Sequence, residues 1–78
     1  MNNITTISRN IRIEKVKDVY AFVQEATKTG RVKVTRGDFS VQGSSMMGMF
    51  AIDPSEPFTV EYDSDNVEFN SFIHQFEV

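Results

Sequence analysis

The apolar residues of this chain repeatedly change from the spacing of a strand to that of a helix, and this alternation constrains the fold more than any other feature. Within residues 4–13, Ile7, Ile11 and Ile13 share one phase of an alternation that only Ile4 and Arg9 break, which predicts a half-buried strand. The next apolar residues recur at helical spacing and end before Gly30, a common helix stop. The expected buried stripe of this helix contains Val16, Val19, Tyr20, Phe22, Val23 and Ala26.

The rest of the chain continues the same alternation. Two short alternating runs within residues 32–41 surround a turn at 36–38, which predicts a hairpin. Ser44 and Ser45 then precede a methionine-rich stretch that is predicted to be a short capped helix. A further strand at 58–62 leads into a last amphipathic helix, whose apolar stripe contains Phe69, Phe72, Ile73 and Phe76.

These segments predict one domain of the α+β class that spans residues 1–78, because 78 residues leave no room for a second core. The element order is β-α-β-β-α-β-α. Each strand has apolar residues at alternate positions and each helix has them on one side. The helices should therefore cover one face of a four-stranded sheet and leave the other face open to water.

Composition excludes several classes of function. The chain has no cysteine, which rules out disulfides, thiolate metal sites and a cysteine nucleophile. No segment reaches the roughly 18 apolar residues of a membrane span, and the first ten residues lack a signal-peptide pattern, so we expect a cytoplasmic protein. No paired carboxylates sit in a plausible pocket, no Gly-rich loop precedes a helix with a lysine, and no histidine cluster can hold a metal. We therefore expect no metal, no cofactor and no enzymatic activity.

Charge is distributed unevenly along the chain. All eight Lys and Arg lie within residues 1–36 beside three acidic residues, whereas residues 37–78 contain eight Asp and Glu and no Lys or Arg. The basic residues alternate with Ile and Val and lack the interleaved aromatics of an RNA-binding sheet. The asymmetry therefore favours two halves that interleave in the fold, and no nucleic-acid partner is expected.

The segment 34–50, VTRGDFSVQGSSMMGMF, resembles the hairpin, regulatory serine and second helix of HPr, the small phosphocarrier of the bacterial sugar phosphotransferase system. Residues 22–26, FVQEA, are similar to the end of that family's first helix. The resemblance implies an open-faced two-layer sandwich with an antiparallel sheet of order 1-4-2-3. In that arrangement the last strand lies between the first two, so Glu61 is expected near Arg12 and Lys33.

The phosphate-carrying centre of the family has no counterpart in this sequence. The resemblance places its histidine at Lys15, its arginine at Lys17 and its proline at Asp18. A neutral imidazole nitrogen attacks phosphorus, whereas a lysine ammonium has no free lone pair at neutral pH. The only histidine, His74, occupies no position that the family uses and is interpreted as a helix-surface residue.

Ser45 aligns with the serine that a dedicated kinase phosphorylates in many members of the family. A phosphate there would add about 1.5 to 2 negative charges at the amino end of a helix, where free N–H groups lie. The simpler interpretation is that Ser44 or Ser45 caps the helix, which is compatible with phosphorylation.

Met46, Met47 and Phe50 match the apolar patch that HPr proteins present to their partners, and methionine adapts to differing surfaces. The same three residues could instead fill the core, which is our expectation for Met49. The sequence alone leaves both interpretations open.

These observations predict a non-catalytic, HPr-like regulatory or protein-binding module related to the phosphotransferase system or to carbon-catabolite regulation. The partner would be a regulator, a kinase or an enzyme, and the chain a monomer or weak homo-oligomer. Two alternatives stay open: a phosphocarrier, and a structural or oligomerising domain. The candidate phosphoacceptor and partner-binding residues are Ser45, Lys15, Lys17, Met46, Met47 and Phe50.

Overall fold

The computed structural model describes residues 5–78 and confirms the predicted order of elements. The strands are β1 (Thr6–Ile11), β2 (Lys33–Arg36), β3 (Phe39–Gln42) and β4 (Phe58–Asp63). The helices are α1 (Val16–Thr29), α2 (Met46–Ala51) and α3 (Val67–Ile73), and a 3₁₀ turn (His74–Phe76) follows α3.

The strands form an antiparallel sheet in the order β1-β4-β2-β3, which confirms the predicted order 1-4-2-3. β4 pairs with β1 on one side and with β2 on the other. A strand from the acidic part of the chain therefore lies between two strands from the basic part. The two differently charged halves interleave, as the sequence indicated.

The register tests the expected neighbours of Glu61. Its Cα partner on β2 is Lys33, as predicted, but its partner on β1 is Ser8. The prediction for Arg12 was wrong because the β1–β4 register places Ser8, four residues earlier in the chain, opposite Glu61. Arg12 lies beyond the β1–β4 ladder, and its Nε is 3.4 Å from a carboxylate oxygen of Glu14. At the other end of the predicted strand, residue 4 lies outside the described residues.

The core lies between the sheet and the helices, and Phe69 of α3 is at its centre. The ring centroid of Phe69 is 5.1 Å from that of Tyr62 on β4 and 5.7 Å from that of Phe22 on α1. The hydroxyl of Tyr62 forms a hydrogen bond with the side chain of Asn70, so its burial leaves no polar atom unpaired. Each fully buried aliphatic or aromatic side chain contributes about 1.5 to 3 kcal/mol.

The structure confirms most of the apolar stripe that was predicted for α1, with one correction. Val19, Phe22, Val23 and Ala26 are buried, and Gly30 ends the helix with φ of 68°. Val16 and Tyr20, which were expected in the same stripe, are 57% and 52% exposed. These two residues are one turn apart and lie on the flank of α1 beside α2, because Tyr20 contacts Phe50 there.

The last residues of the chain cover the outer edge of β1 at its carboxyl end. The N–H of Arg12 donates to the carbonyl of Phe76 at 3.0 Å, and the N–H of Val78 donates to the carbonyl of Asn10 at 3.2 Å. After α3 the chain thus forms a 3₁₀ turn and a short extended segment beside β1. The added contacts occupy backbone groups that an edge strand would otherwise present to solvent.

Candidate functional site

Ser45 determines where α2 begins, as the capping interpretation predicted. Its Oγ accepts a hydrogen bond from the N–H of Gly48 at 3.0 Å, and its carbonyl accepts one from the N–H of Met49 at 2.9 Å. Its own N–H donates to the carbonyl of Gln42 at 3.0 Å, which ties the start of α2 to the end of β3. The Ser45 side chain is nevertheless only partly buried.

Gly48 allows α2 to lie directly on β3. A methyl group at this position would come within 2.9 Å of the Val41 Cβ and 3.1 Å of the Ser45 Oγ. The first distance is shorter than ordinary contact between carbon atoms, so a larger residue would push α2 away from the sheet.

The carboxyl end of α2 is held by the tip of the hairpin. The Nη1 of Arg36 donates to the carbonyl of Ile52 at 2.6 Å, which places a cation at the negative end of the helix. The next residue, Asp53, has φ of 56°, and its Oδ1 accepts from the Ser55 hydroxyl at 2.6 Å. This hydrogen bond, aided by the charge of Arg36, lowers the pKa of Asp53.

The four large apolar residues of α2 divide between core and surface. Met49 is fully buried, as expected. Met47 is 85% exposed and Phe50 is 43% exposed, so both agree with the exposed-patch interpretation. Met46 is partly buried and packs against the core, so it offers less surface to a partner than the other two.

Exposed residues of α1 extend this apolar surface. The rings of Tyr20 and Phe50 form an edge-to-face pair with centroids 6.4 Å apart. Val16 lies one turn before Tyr20 on α1, and Met47 lies one turn before Phe50 on α2. We call the surface of these four residues, Val16, Tyr20, Met47 and Phe50, the α1–α2 face.

The candidate residues at the start of α1 are exposed. Lys15 is the N-cap of α1 by backbone geometry and makes no capping hydrogen bond with its side chain. It lines a shallow cleft of about 240 Å³ together with Val16, Phe50 and Pro54, so the structure brings Lys15 to the border of the α1–α2 face. Lys17 is exposed in the first turn of α1.

Sequence reasoning missed Val16 and Tyr20 as surface residues. Both fit the helical spacing of the buried stripe, so periodicity assigned them to the core. The sequence did contain one indication of their exposure. With Phe22 included, the apolar stripe of α1 is broader than packing against a single layer requires. A stripe of that width leaves one flank without a partner inside the domain.

His74 lies in the 3₁₀ turn and is exposed, which agrees with its interpretation as a surface residue. Its Nδ1 is 2.6 Å from a carboxylate oxygen of Glu77. Within residues 5–78, no group of three or more acidic or histidine side chains is arranged to hold a metal ion. Among the helices of the same residues, none is long and apolar enough to cross a membrane.

Comparison with solved structures shows the fold to be that of a known protein. The chain matches the crystal structure of a phosphocarrier protein HPr from Bacillus anthracis with a TM-score of 0.68, over 97% of this chain and 100% of that one. The two sequences are 19% identical over this match. No protein-family model and no curated protein sequence matches the chain. The chain therefore has the HPr fold.

Proposed function

We propose that this chain is a non-catalytic protein-binding module built on the HPr fold, and that it docks onto a protein partner through the α1–α2 face. The observation that carries this proposal is the exposure of Val16, Tyr20, Met47 and Phe50 on two adjoining helices. Single exposed apolar residues are ordinary, but a contiguous group of this kind marks an interaction surface.

The composition of the face suits a protein partner. Tyr20 and Phe50 supply rigid aromatic area, and Met47 supplies a flexible side chain that adapts to the surface it meets. Lys15 at the border adds positive charge, and Lys17 is exposed two residues later in the first turn of α1. These cations favour a partner with an acidic rim, because complementary charge accelerates association and orients the two surfaces.

The proposed role is regulation rather than phosphate transfer. A phosphocarrier needs a nucleophilic nitrogen with a free lone pair, and the residue that the resemblance places at the histidine position is Lys15. The relation to the sugar phosphotransferase system or to carbon-catabolite control rests on the shared fold and on the resemblance of segment 34–50. A cytoplasmic location belongs to the same proposal.

Ser45 is the proposed switch of this module. Ser45 is partly exposed and lies at the start of the helix that carries Met47 and Phe50. A phosphate on its Oγ would meet the N–H groups of the first turn of α2, including that of Gly48. It would also place about 1.5 to 2 negative charges beside the α1–α2 face and so change its affinity for a partner.

Docking is tested by titrating isotope-labelled protein with three purified candidates: the general phosphotransferase enzyme, the serine kinase and a catabolite regulator. We expect the amide signals of the α1–α2 face to shift with at least one of them. Met47→Ser should weaken that binding about tenfold, since exposed apolar anchors supply most of the affinity. The matched control is Val67→Ser on α3, where the valine is 69% exposed but lies outside the face. Equal losses in both variants would refute the proposed site.

Phosphate chemistry is tested separately by mass spectrometry. Incubation with phosphoenolpyruvate and the general phosphotransferase enzyme should leave the chain unmodified, and acid-labile phosphate on any residue would overturn the non-carrier proposal. Incubation with ATP and the serine kinase should add one acid-stable phosphate, which Ser45→Ala abolishes and Ser44→Ala retains. An unlabelled Ser45 would remove the switch and leave the docking proposal standing.

A further inference from the structure

The two edges of the sheet are treated differently. The outer edge of β1 is covered at its carboxyl end by residues 76–78, through backbone hydrogen bonds at Asn10 and Arg12. β3 is the opposite edge, and in the described part of the chain no strand pairs with its outer side. An open edge offers unpaired N–H and C=O groups to another strand.

The ladder between β2 and β3 identifies the groups that point outward. Phe39 faces Arg36, and Val41 faces Val34. The next pair in this series is Gly43 and Val32, where the N–H of Gly43 donates to the carbonyl of Val32 at 2.7 Å. This hydrogen bond identifies the series as the hydrogen-bonded pairs of the ladder. Because hydrogen-bonded and non-hydrogen-bonded pairs alternate in antiparallel strands, the backbone groups of the intervening Ser40 and Gln42 point away from β2. The carbonyl of Gln42 already accepts from Ser45, and within residues 5–78 the Ser40 N–H, Ser40 C=O and Gln42 N–H have no backbone partner.

β3 lacks the features that usually protect an edge strand. Its sequence, Phe-Ser-Val-Gln, contains no charge and no proline, and its pairing with β2 runs without a bulge over residues 39–42. Phe39 is 72% exposed and is not part of the α1–α2 face. An uncharged, unbulged and uncovered strand of this kind is a site for strand addition.

We propose that β3 pairs in antiparallel fashion with β3 of a second copy of this chain, around a two-fold axis at Ser40. A two-fold interface requires a self-complementary patch, and β3 meets this requirement. Ser40 presents one donor and one acceptor, so the two copies exchange two equivalent hydrogen bonds. This register sets Asp38 opposite the uncharged Gln42 of the second copy, and no like charges face each other.

The same register gives Phe39 a partner. Phe39 lies opposite the Val41 of the second copy in a non-hydrogen-bonded pair, where Cα atoms approach to about 4.5 Å and side chains are closest. Aromatic and β-branched residues form favourable pairs of this kind across strands. Pairing also places Phe39 of the second copy against Val41 of the first. The dimer thus covers the large exposed aromatic residue that the proposed function leaves unused.

Self-association is measured by sedimentation velocity on the full chain over a concentration series up to about 1 mM, the range that detects weak dimers. We expect a reversible monomer–dimer equilibrium. Ser40→Lys places two ammonium groups opposite each other at the axis and should weaken the dimer at least about tenfold, with partial recovery at high salt. Ser40→Thr, which suits a strand and adds no charge, should stay within about threefold of the wild type.

Two matched variants complete the design. Ser8→Lys introduces the same charge on β1, the other edge strand, and should leave dimerisation unchanged. Met47→Ser alters the α1–α2 face and should also leave it unchanged. Amide exchange at Ser40 should slow with increasing protein concentration in the wild type and not in Ser40→Lys.

Several results would overturn the inference. A wild-type chain that remains monomeric at about 1 mM has no such dimer. Equal weakening by Ser8→Lys and Ser40→Lys would show a general charge effect, and loss of the dimer in Met47→Ser would place self-association on the α1–α2 face. The docking test is separate, because it uses other partners and is performed at concentrations where the chain is monomeric.

Discussion

α2 and α3 are short helices rich in large apolar residues, and they use those residues in opposite ways. α3 directs Phe69 and Ile73 into the core, whereas α2 buries Met49 and leaves Met47 and Phe50 at the surface. The difference follows from position. Phe69 packs on the interior strand β4, while α2 lies on the edge strand β3 and has one flank free. A similar sequence pattern therefore serves stability in one place and recognition in the other.

The largest expected effect comes from making the same truncation in each helix. Phe69→Ala should lower the free energy of unfolding by about 3 to 5 kcal/mol, because it removes a fully buried ring and leaves a cavity. Phe50→Ala should lower it by less than about 1 kcal/mol, because its ring is partly in water. Urea unfolding followed by circular dichroism measures both.

These two variants test directly whether α2 and α3 differ in their contribution to stability. A small domain has only about 5 to 15 kcal/mol of stability, so Phe69→Ala should remove a large fraction of it. Similar losses in the two variants would mean that α2 supports the core as much as α3 does, and the surface role of Phe50 would then need revision.

The second effect concerns the contact that keeps α2 on the edge of the sheet. Gly48→Ala gains about 1 kcal/mol of helix propensity but forces a methyl group against Val41, a strain of about 1 to 3 kcal/mol. We expect a net loss of up to about 2 kcal/mol in urea unfolding. The control is Ser71→Ala on the exposed side of α3, where only the propensity term acts and stability should rise slightly. A net gain at Gly48 would show that α2 is not pressed on β3.

Gly48 also illustrates what a sequence can predict. The order of strands and helices, the burial of Phe69 and the cap at Ser45 could be predicted, because they depend on local spacing and on side chains with defined hydrogen-bonding habits. The strand order came from the family resemblance. The packing role of Gly48 could not be predicted, because it depends on how closely a helix approaches a strand that it does not adjoin in the sequence.

The surface residues show the same limit. Periodicity marks the apolar side of a helix but not where the neighbouring layer ends, so Val16 and Tyr20 were assigned to the core. Arg12 was placed in the sheet because the alternation continues past the point where β1 stops pairing. Met46 and Met47 are identical neighbours in the sequence, and only their position on α2 relative to β3 and α1 separates a packed side chain from an exposed one.

A smaller effect sharpens the comparison through the two helix caps. Ser45 accepts from the N–H of Gly48 at 3.0 Å, and Asn66 accepts from the N–H of Phe69 at 3.3 Å. Ser45→Ala and Asn66→Ala should each cost about 1 kcal/mol of helix stability. Hydrogen exchange should separate them: loss of the Ser45 cap should raise exchange mainly in α2, and loss of the Asn66 cap should lower protection across the core. Identical exchange profiles would mean that α2 and α3 unfold together.

The smallest expected effect lies at the carboxyl end of α2 and depends on pH. The Ser55 hydroxyl, with the charge of Arg36, lowers the pKa of Asp53 below its usual value of 3.8. A lowered pKa in the folded state means that the carboxylate stabilises the fold above that usual value, and that this contribution is lost as the pH falls below it. Asp53→Asn should therefore lower the Tm slightly at pH 7 and not at all in strong acid, where both side chains are neutral.

Two features of this site separate the charge from other effects. Because asparagine tolerates the left-handed backbone at position 53, any loss of Tm reports the charge and not the φ angle. Ser55→Ala removes the main donor and should reproduce the same pH dependence, and a loss that persists in strong acid would show that the Asp53 charge does not hold the end of α2.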